Sequence, residues 1–134
     1  MVRIDAPPER IWAALVDVES WPRWTASMTH VRRLEDGPLL LGSTARLKQP
    51  GLPAAVWRVT GFELGRSFSW LSAGPGVTTV GGHELERGPA GGMRLTLTLD
   101  QSGPLARPVE LLLGERARRF LGMEAEGLRR CCEG

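Results

Sequence analysis

The feature that most constrains the fold is a change in hydrophobic period along the chain. Between residues 28 and about 100, apolar and polar residues alternate, most clearly in the segment MRLTLTLD at residues 93–100. Beyond the pair Gly103-Pro104, apolar residues recur at intervals of three and four over residues 109–131. Alternation is typical of strands with one covered face, and the second spacing is typical of an amphipathic helix. The sequence therefore predicts an α+β fold in which an antiparallel sheet is followed by one long helix that packs on it.

The residues before this region predict a short strand and two short helices. The strand is expected at residues 2–5, and Pro8 suits the first turn of a helix whose apolar residues follow at helical spacing. The segment WPRW at residues 21–24 predicts a second short helix or a tight turn, and its proline requires the first helix to end near Val18. Clusters of glycine and proline divide the later strands, and the short connections predict hairpins. We therefore expect about seven strands, six of them in an antiparallel meander.

Length and composition exclude several classes of protein. The 134 residues suit a single domain over residues 1–134, and 42% of them are apolar. No apolar run approaches the roughly 20 residues that cross a bilayer, and the N-terminus lacks the apolar core of a signal peptide. We therefore expect no membrane insertion and a cytoplasmic location. The net charge of +2 is too balanced for a protein whose main partner is nucleic acid, and the oligomeric state is left unpredicted.

The sequence predicts no metal site, disulfide or cofactor. Its cysteines, Cys131 and Cys132, are adjacent, which seldom suits a disulfide, and the two histidines lie far away at positions 30 and 83. Gly74-Pro75-Gly76 and Gly91-Gly92 are expected in hairpin turns without a following helix, so they do not form a phosphate-binding loop.

The last helix carries three further features. Its glutamates, Glu124 among them, are interleaved with arginines, which predicts a solvated helix face. Its apolar stripe is expected to include Leu112 and Cys131. Gly114 and Gly122 are weak points that cost about 1 kcal/mol each relative to alanine, and close contact with the sheet or a slight bend would explain them.

With this order of elements, the sequence resembles the START-like (SRPBCC) superfamily of the helix-grip fold, and in particular its polyketide cyclase/dehydrase branch. The resemblance covers essentially the whole chain and rests on the segment IDAPPERIW at residues 4–12, Asp17, the segment WPRW at residues 21–24, Gly42-Ser43, Trp57, the segment FSW at residues 68–70 and the final helix. It implies a curved sheet wrapped around the helix, with a deep apolar cavity between them. Members of this superfamily bind lipids, polyketides, hormones or quinones, and a minority catalyse cyclisation or dehydration.

Strand parity predicts which side chains face the helix. Charged and hydroxyl residues at alternate positions belong in water, so their neighbours point inward. Parity gives the inward strand residues, to which we add Trp24 from the second short helix and Leu113 and Phe120 from the last helix. The candidate ligand-binding residues are therefore Trp24, Leu47, Gln49, Trp57, Val59, Phe68, Trp70, His83, Leu95, Leu97, Leu113 and Phe120. A mostly apolar wall with a few polar groups is typical of a small-molecule pocket. Alternatively these side chains fill the core, which we expect above all for Val59, Leu95 and Leu97.

His83 is the only catalytic candidate. A lone histidine on a strand is usually satisfied by a backbone group; the alternative is that it bonds a ligand oxygen or acts as a general acid or base. The chain has no tyrosine, and its predicted inward positions include no carboxylate. The sequence therefore favours binding of an apolar small molecule without chemistry. Two alternatives remain, a cyclase or dehydratase acting on a polyketide-like substrate and a protein–protein regulatory module.

Overall fold

The structure, a computed structural model, describes residues 2–134. Within that range the chain forms seven strands and three helical segments in the predicted order. They are β1 (Val2–Ile4), α1 (Pro8–Val16), a 3-10 helix (Val18–Arg23), β2 (His30–Arg33), β3 (Thr44–Lys48), β4 (Ala55–Glu63), β5 (Ser67–Gly74), β6 (Val77–Arg87), β7 (Met93–Ser102) and α2 (Ala106–Glu133).

All seven strands belong to one antiparallel sheet with the order β1-β7-β6-β5-β4-β3-β2. Strands β2 to β7 form a meander, and β1 joins it through β7, where Val2 pairs with Leu95. The two edge strands are therefore consecutive in the chain, and α1 with the 3-10 helix connects one edge to the other. The curved sheet and the long terminal helix confirm the predicted α+β helix-grip fold.

The two short helices divide earlier than the sequence indicates. α1 ends at Val16, and the 3-10 helix starts at Val18 and includes the whole segment up to Arg23. Asp17 has a non-helical backbone between them, and its carboxylate accepts a hydrogen bond of 2.6 Å from the Ser20 hydroxyl. The break therefore comes from this local turn as well as from the proline that follows.

Helix α2 contacts α1 and strands β1, β6 and β7. Gly127 is the point of closest approach, since a Cβ added there would lie 2.1 Å from the Trp24 carbonyl oxygen. At Gly122 an added Cβ would meet nothing within 4 Å, and at Gly114 it would meet only side chains of its own helix at ordinary distances. Close contact with the sheet therefore explains neither of these two glycines.

Two residues of the expected stripe lie outside the buried face of α2. Leu112 is 82% exposed, and Cys131 is exposed while its neighbour Cys132 is buried. Each predicted residue lies next to the one that faces the sheet, and a step of one residue turns a side chain by about 100° around the helix axis. No helix within residues 2–134 is long and apolar enough to cross a membrane.

Candidate ligand-binding site

A cavity of about 170 Å³ lies between the sheet and α2. Strands β3 to β7 form one wall, and α2 and the 3-10 helix close the opposite side. Seven of the twelve predicted site residues line it, namely Leu47, Gln49, Trp57, Trp70, His83, Leu113 and Phe120. The structure thus brings together side chains from β3 to β6, from the residue after β3 and from the last helix.

The other five predicted site residues lie elsewhere. Trp24, Leu95 and Leu97 border a neighbouring void of only about 10 Å³, which His83 and Glu124 also line. Val59 and Phe68 are absent from the cavity wall and are 1% exposed in the packed core. Phe68 stacks on His83, with the ring centroids 4.2 Å apart and an angle of 15° between the ring planes.

Aromatic rings dominate one end of the cavity. The Trp70 ring lies 5.3 Å from that of Trp21 and 5.9 Å from that of Trp57, in the tilted arrangements that aromatic pairs favour. A Cβ added at Gly81, which also lines the cavity, would lie 3.3 Å from the Trp70 ring. The glycine on β6 therefore leaves room for the indole beside the neighbouring strand.

His83 is buried in this aromatic cluster as a neutral imidazole. Its Nδ1 lies 3.1 Å from the Phe68 carbonyl oxygen, which can only accept a hydrogen bond, so we assign the proton to Nδ1. Burial lowers the pKa of His83 to about 4, although the Phe68 carbonyl acts in the opposite direction. In this tautomer Nε2 is an acceptor at neutral pH.

The structure corrects the interpretation of Glu124, which was expected on a solvated face. Its side chain is 7% exposed and lines the cavity that His83 also lines. Burial raises the pKa of Glu124 to about 8, and a hydrogen bond with the Ser27 hydroxyl lowers it to a smaller extent. The Ser27 hydroxyl lies 2.7 Å from that of Thr25, and both residues are buried. The carboxyl group is therefore mainly protonated at neutral pH.

A signal for Glu124 was present in the sequence. Phe120 and Leu128 belong to the buried stripe of α2, and Glu124 lies four residues from each of them. Residues four apart share one face of a helix, so the spacing places the glutamate among the apolar side chains. The alternation of glutamates with arginines suggested that Glu124 faces solvent. Its position within the apolar stripe is the better indicator, because it places Glu124 on the buried face.

One end of the cavity lies near the loop between β3 and β4. Leu52 from this loop and Arg116 from α2 are half-buried lining residues there, and Arg116 Nη1 lies 3.4 Å from the Gly51 carbonyl oxygen. Arg116 precedes Glu124 by two helical turns, which corresponds to about 12 Å along the axis. The cavity therefore extends along the helix from a charged, partly exposed end to a buried one.

A metal ion is not favoured by the geometry. Among residues 2–134, no three histidine, cysteine, aspartate or glutamate side chains lie close enough to hold one.

Comparison with known protein families agrees with the resemblance drawn from the sequence. A sequence model of the family described as "Polyketide cyclase / dehydrase and lipid transport" matches residues 1–133. The chain belongs to this family. The match confirms the resemblance drawn from the N-terminal segment, the tryptophans and the terminal helix. No curated protein matches the sequence.

Solved structures with the same fold are distant in sequence. A hypothetical protein of Helicobacter pylori is 13% identical with a TM-score of 0.81, over 98% of this chain and 84% of that one. The Zhui aromatase/cyclase of a Streptomyces species is 19% identical with a TM-score of 0.79, over 98% and 90%. The KanY protein is 18% identical with a TM-score of 0.78, over 99% and 94%. At these sequence identities, the similarity of this chain to the three structures shows a shared fold.

Proposed function

We propose that the protein binds a small, largely apolar molecule in the cavity between the sheet and α2. The observation that carries the proposal is a partly open cavity of about 170 Å³ with aromatic and leucine walls and a few polar groups. An apolar cavity of about 150 Å³ in another protein is known to hold benzene. The buried part of a ligand here therefore corresponds to about one aromatic ring.

The family supports a ligand of this kind. Its description names polyketide cyclases, dehydrases and lipid transport, and lipids are largely apolar molecules. The Zhui protein with the same fold is an aromatase/cyclase. The apolar walls of the cavity discriminate only weakly between such molecules, by about 1–3 kcal/mol per methylene.

The proposal predicts saturable, one-to-one binding of a small aromatic probe such as styrene, followed by tryptophan emission and calorimetry. Ala117→Phe should weaken that binding at least about tenfold, because Ala117 lines the cavity and a benzyl group would occupy the ligand's space. Leu112→Phe, on the exposed face of the same helix, is the matched control and should bind as the wild type does. The proposal is contradicted if probe binding to the wild type does not saturate, or if Ala117→Phe binds the probe with the same affinity as the wild type.

A second candidate function is acid–base catalysis of dehydration or cyclisation, and the buried Glu124 favours it. His83 Nε2 would take a proton from the carbon next to a ligand carbonyl, and protonated Glu124 would give its proton to the leaving hydroxyl, which departs as water. A proton then returns from His83 to Glu124. This function predicts that a β-hydroxy ketone is dehydrated by the wild type, and that His83→Ala and Glu124→Gln abolish product formation while binding persists.

A further inference from the structure

Glu124 is the polar group that stands out in the buried part of the cavity. The titratable side chains that line the cavity are His83 on β6 and Arg116 and Glu124 on α2. The Nδ1 of His83 is already bonded to the Phe68 carbonyl. Arg116 lies at the partly exposed end of the cavity, about 12 Å away along the helix, where it contacts the Gly51 carbonyl.

The surroundings of Glu124 favour a neutral carboxyl group. Burial and the Ser27 hydroxyl are the influences on its charge, and neither supplies a cation. An ionised carboxylate without a partner is costly in an apolar setting, so the group keeps its proton. A protonated carboxyl has one O–H donor.

An apolar ligand in the cavity would exclude water from this donor. A buried donor that loses its partner costs free energy, whereas a ligand oxygen at that point restores the hydrogen bond. Apolar walls scarcely distinguish ligands of equal size and shape, so the hydrogen bond decides between such ligands. The carboxyl group is thus placed to select among ligands of equal size.

Resting on the proposed binding function, we infer that Glu124 is the specificity-determining residue of this cavity: it donates a hydrogen bond, as a neutral carboxylic acid, to an acceptor oxygen of an uncharged ligand. The ligand class is a small aromatic or alicyclic compound with a carbonyl group at its buried end. Ligands with a carboxylate at that buried end are selected against, because the charge would be buried beside a group that carries no positive charge.

Acetophenone and α-methylstyrene test the inference because they have nearly the same shape and differ in the acceptor oxygen. Dissociation constants for both are measured by calorimetry with the wild type, Glu124→Leu and Glu124→Gln. Glu124→Leu should shift the ratio of the two constants against acetophenone by about tenfold, the value of one hydrogen bond. Glu124→Gln keeps an N–H donor and should stay close to the wild-type ratio. Leu113→Met, which changes an apolar lining residue, is the control for repacking.

The pH dependence of acetophenone binding provides a second test, which does not require the Glu124→Leu variant. Wild-type affinity for acetophenone should fall above pH 8 or so, by up to about tenfold per pH unit, because the ionised carboxylate cannot donate. Glu124→Gln should show no such fall.

The outcomes separate this inference from the function on which it rests. If both probes bind and Glu124→Leu leaves their ratio unchanged, the inference is wrong and the binding function stands. An affinity of wild type for acetophenone that is constant from pH 7 to 10 also overturns it. If neither probe binds the folded wild type, the binding function itself fails, and the inference with it.

Discussion

Burial brings Glu124 and His83 to the same neutral state from opposite sides. It raises the pKa of the carboxyl to about 8 and lowers the pKa of the imidazole to about 4. At neutral pH the cavity therefore contains a protonated carboxylic acid and a neutral imidazole whose Nε2 is unprotonated. Pairs of groups with pKa values displaced in this way are typical of acid–base sites, and they also suit recognition of uncharged ligands.

We expect the His83 imidazole to stay neutral, with its proton on Nδ1, down to about pH 5. The reason is that protonation would place a positive charge among the rings of Trp21, Phe68 and Trp70 without water around it. Two-bond ¹H–¹⁵N correlation spectra distinguish the two tautomers and the imidazolium. His30, which is exposed, serves as the internal control. Titration of His83 with a midpoint near 6.5 would contradict the assignment.

The position of α2 depends on close contact at one glycine. At Gly127 the helix lies against the Trp24 backbone, so its distance from the 3-10 helix is set by the absence of a side chain. The same helix carries Leu113, Phe120 and Glu124 into the cavity. A change of helix position would therefore alter the site as well as the stability.

Gly127→Ala should lower the free energy of unfolding by about 1–3 kcal/mol, since the new methyl group overlaps the Trp24 carbonyl and forces the elements apart. Gly122→Ala is the matched control on the same helix. No atom lies within 4 Å of its added Cβ, so it should stabilise the protein by about 0.5–1 kcal/mol through helix propensity. Urea unfolding of both variants gives the comparison, and equal effects of the two substitutions would refute the role of the contact at Gly127.

At the level of elements, hydrophobic period gave the strands and the helix because each has one covered face. Parity also placed Leu47, Trp70 and His83 toward the helix, and all three line the cavity. It did not separate cavity wall from core, since Val59 and Phe68 point inward but are covered by neighbouring side chains. That distinction depends on how the sheet curves and which rings stack, and a single strand does not encode either.

Over the whole molecule, stability should depend on pH through these two buried groups. For Glu124 the folded pKa, about 8, lies above the usual 4.5, so its contribution is lost as the pH rises toward 8. For His83 the folded pKa, about 4, lies below the usual 6.5, so stability is lost as the pH falls from 6.5 toward 4. The two slopes oppose each other between pH 4.5 and 6.5, and Glu124 alone acts above that range.

We therefore expect the free energy of unfolding to be nearly constant from pH 4.5 to 6.5 and to fall by about 2 kcal/mol from pH 6.5 to 8. Glu124→Gln should remove the fall above pH 6.5 and leave a rise between pH 4 and 6.5. Urea denaturation at a series of pH values measures both profiles. A wild-type profile that is flat from pH 6.5 to 8 would be inconsistent with a buried protonated Glu124.

The pairing of β1 with β7 affects how the protein reaches this structure during synthesis. Val2 leaves the ribosome long before Leu95, its partner in the sheet. At about 5–20 residues per second, the first strand waits roughly 5–20 s for that partner. α1 waits as well, because it packs on α2, which is translated later still. β7 therefore completes the sheet by pairing with β6 on one side and with β1 on the other. Until β7 is translated, the nascent β1 segment stays accessible to chaperones.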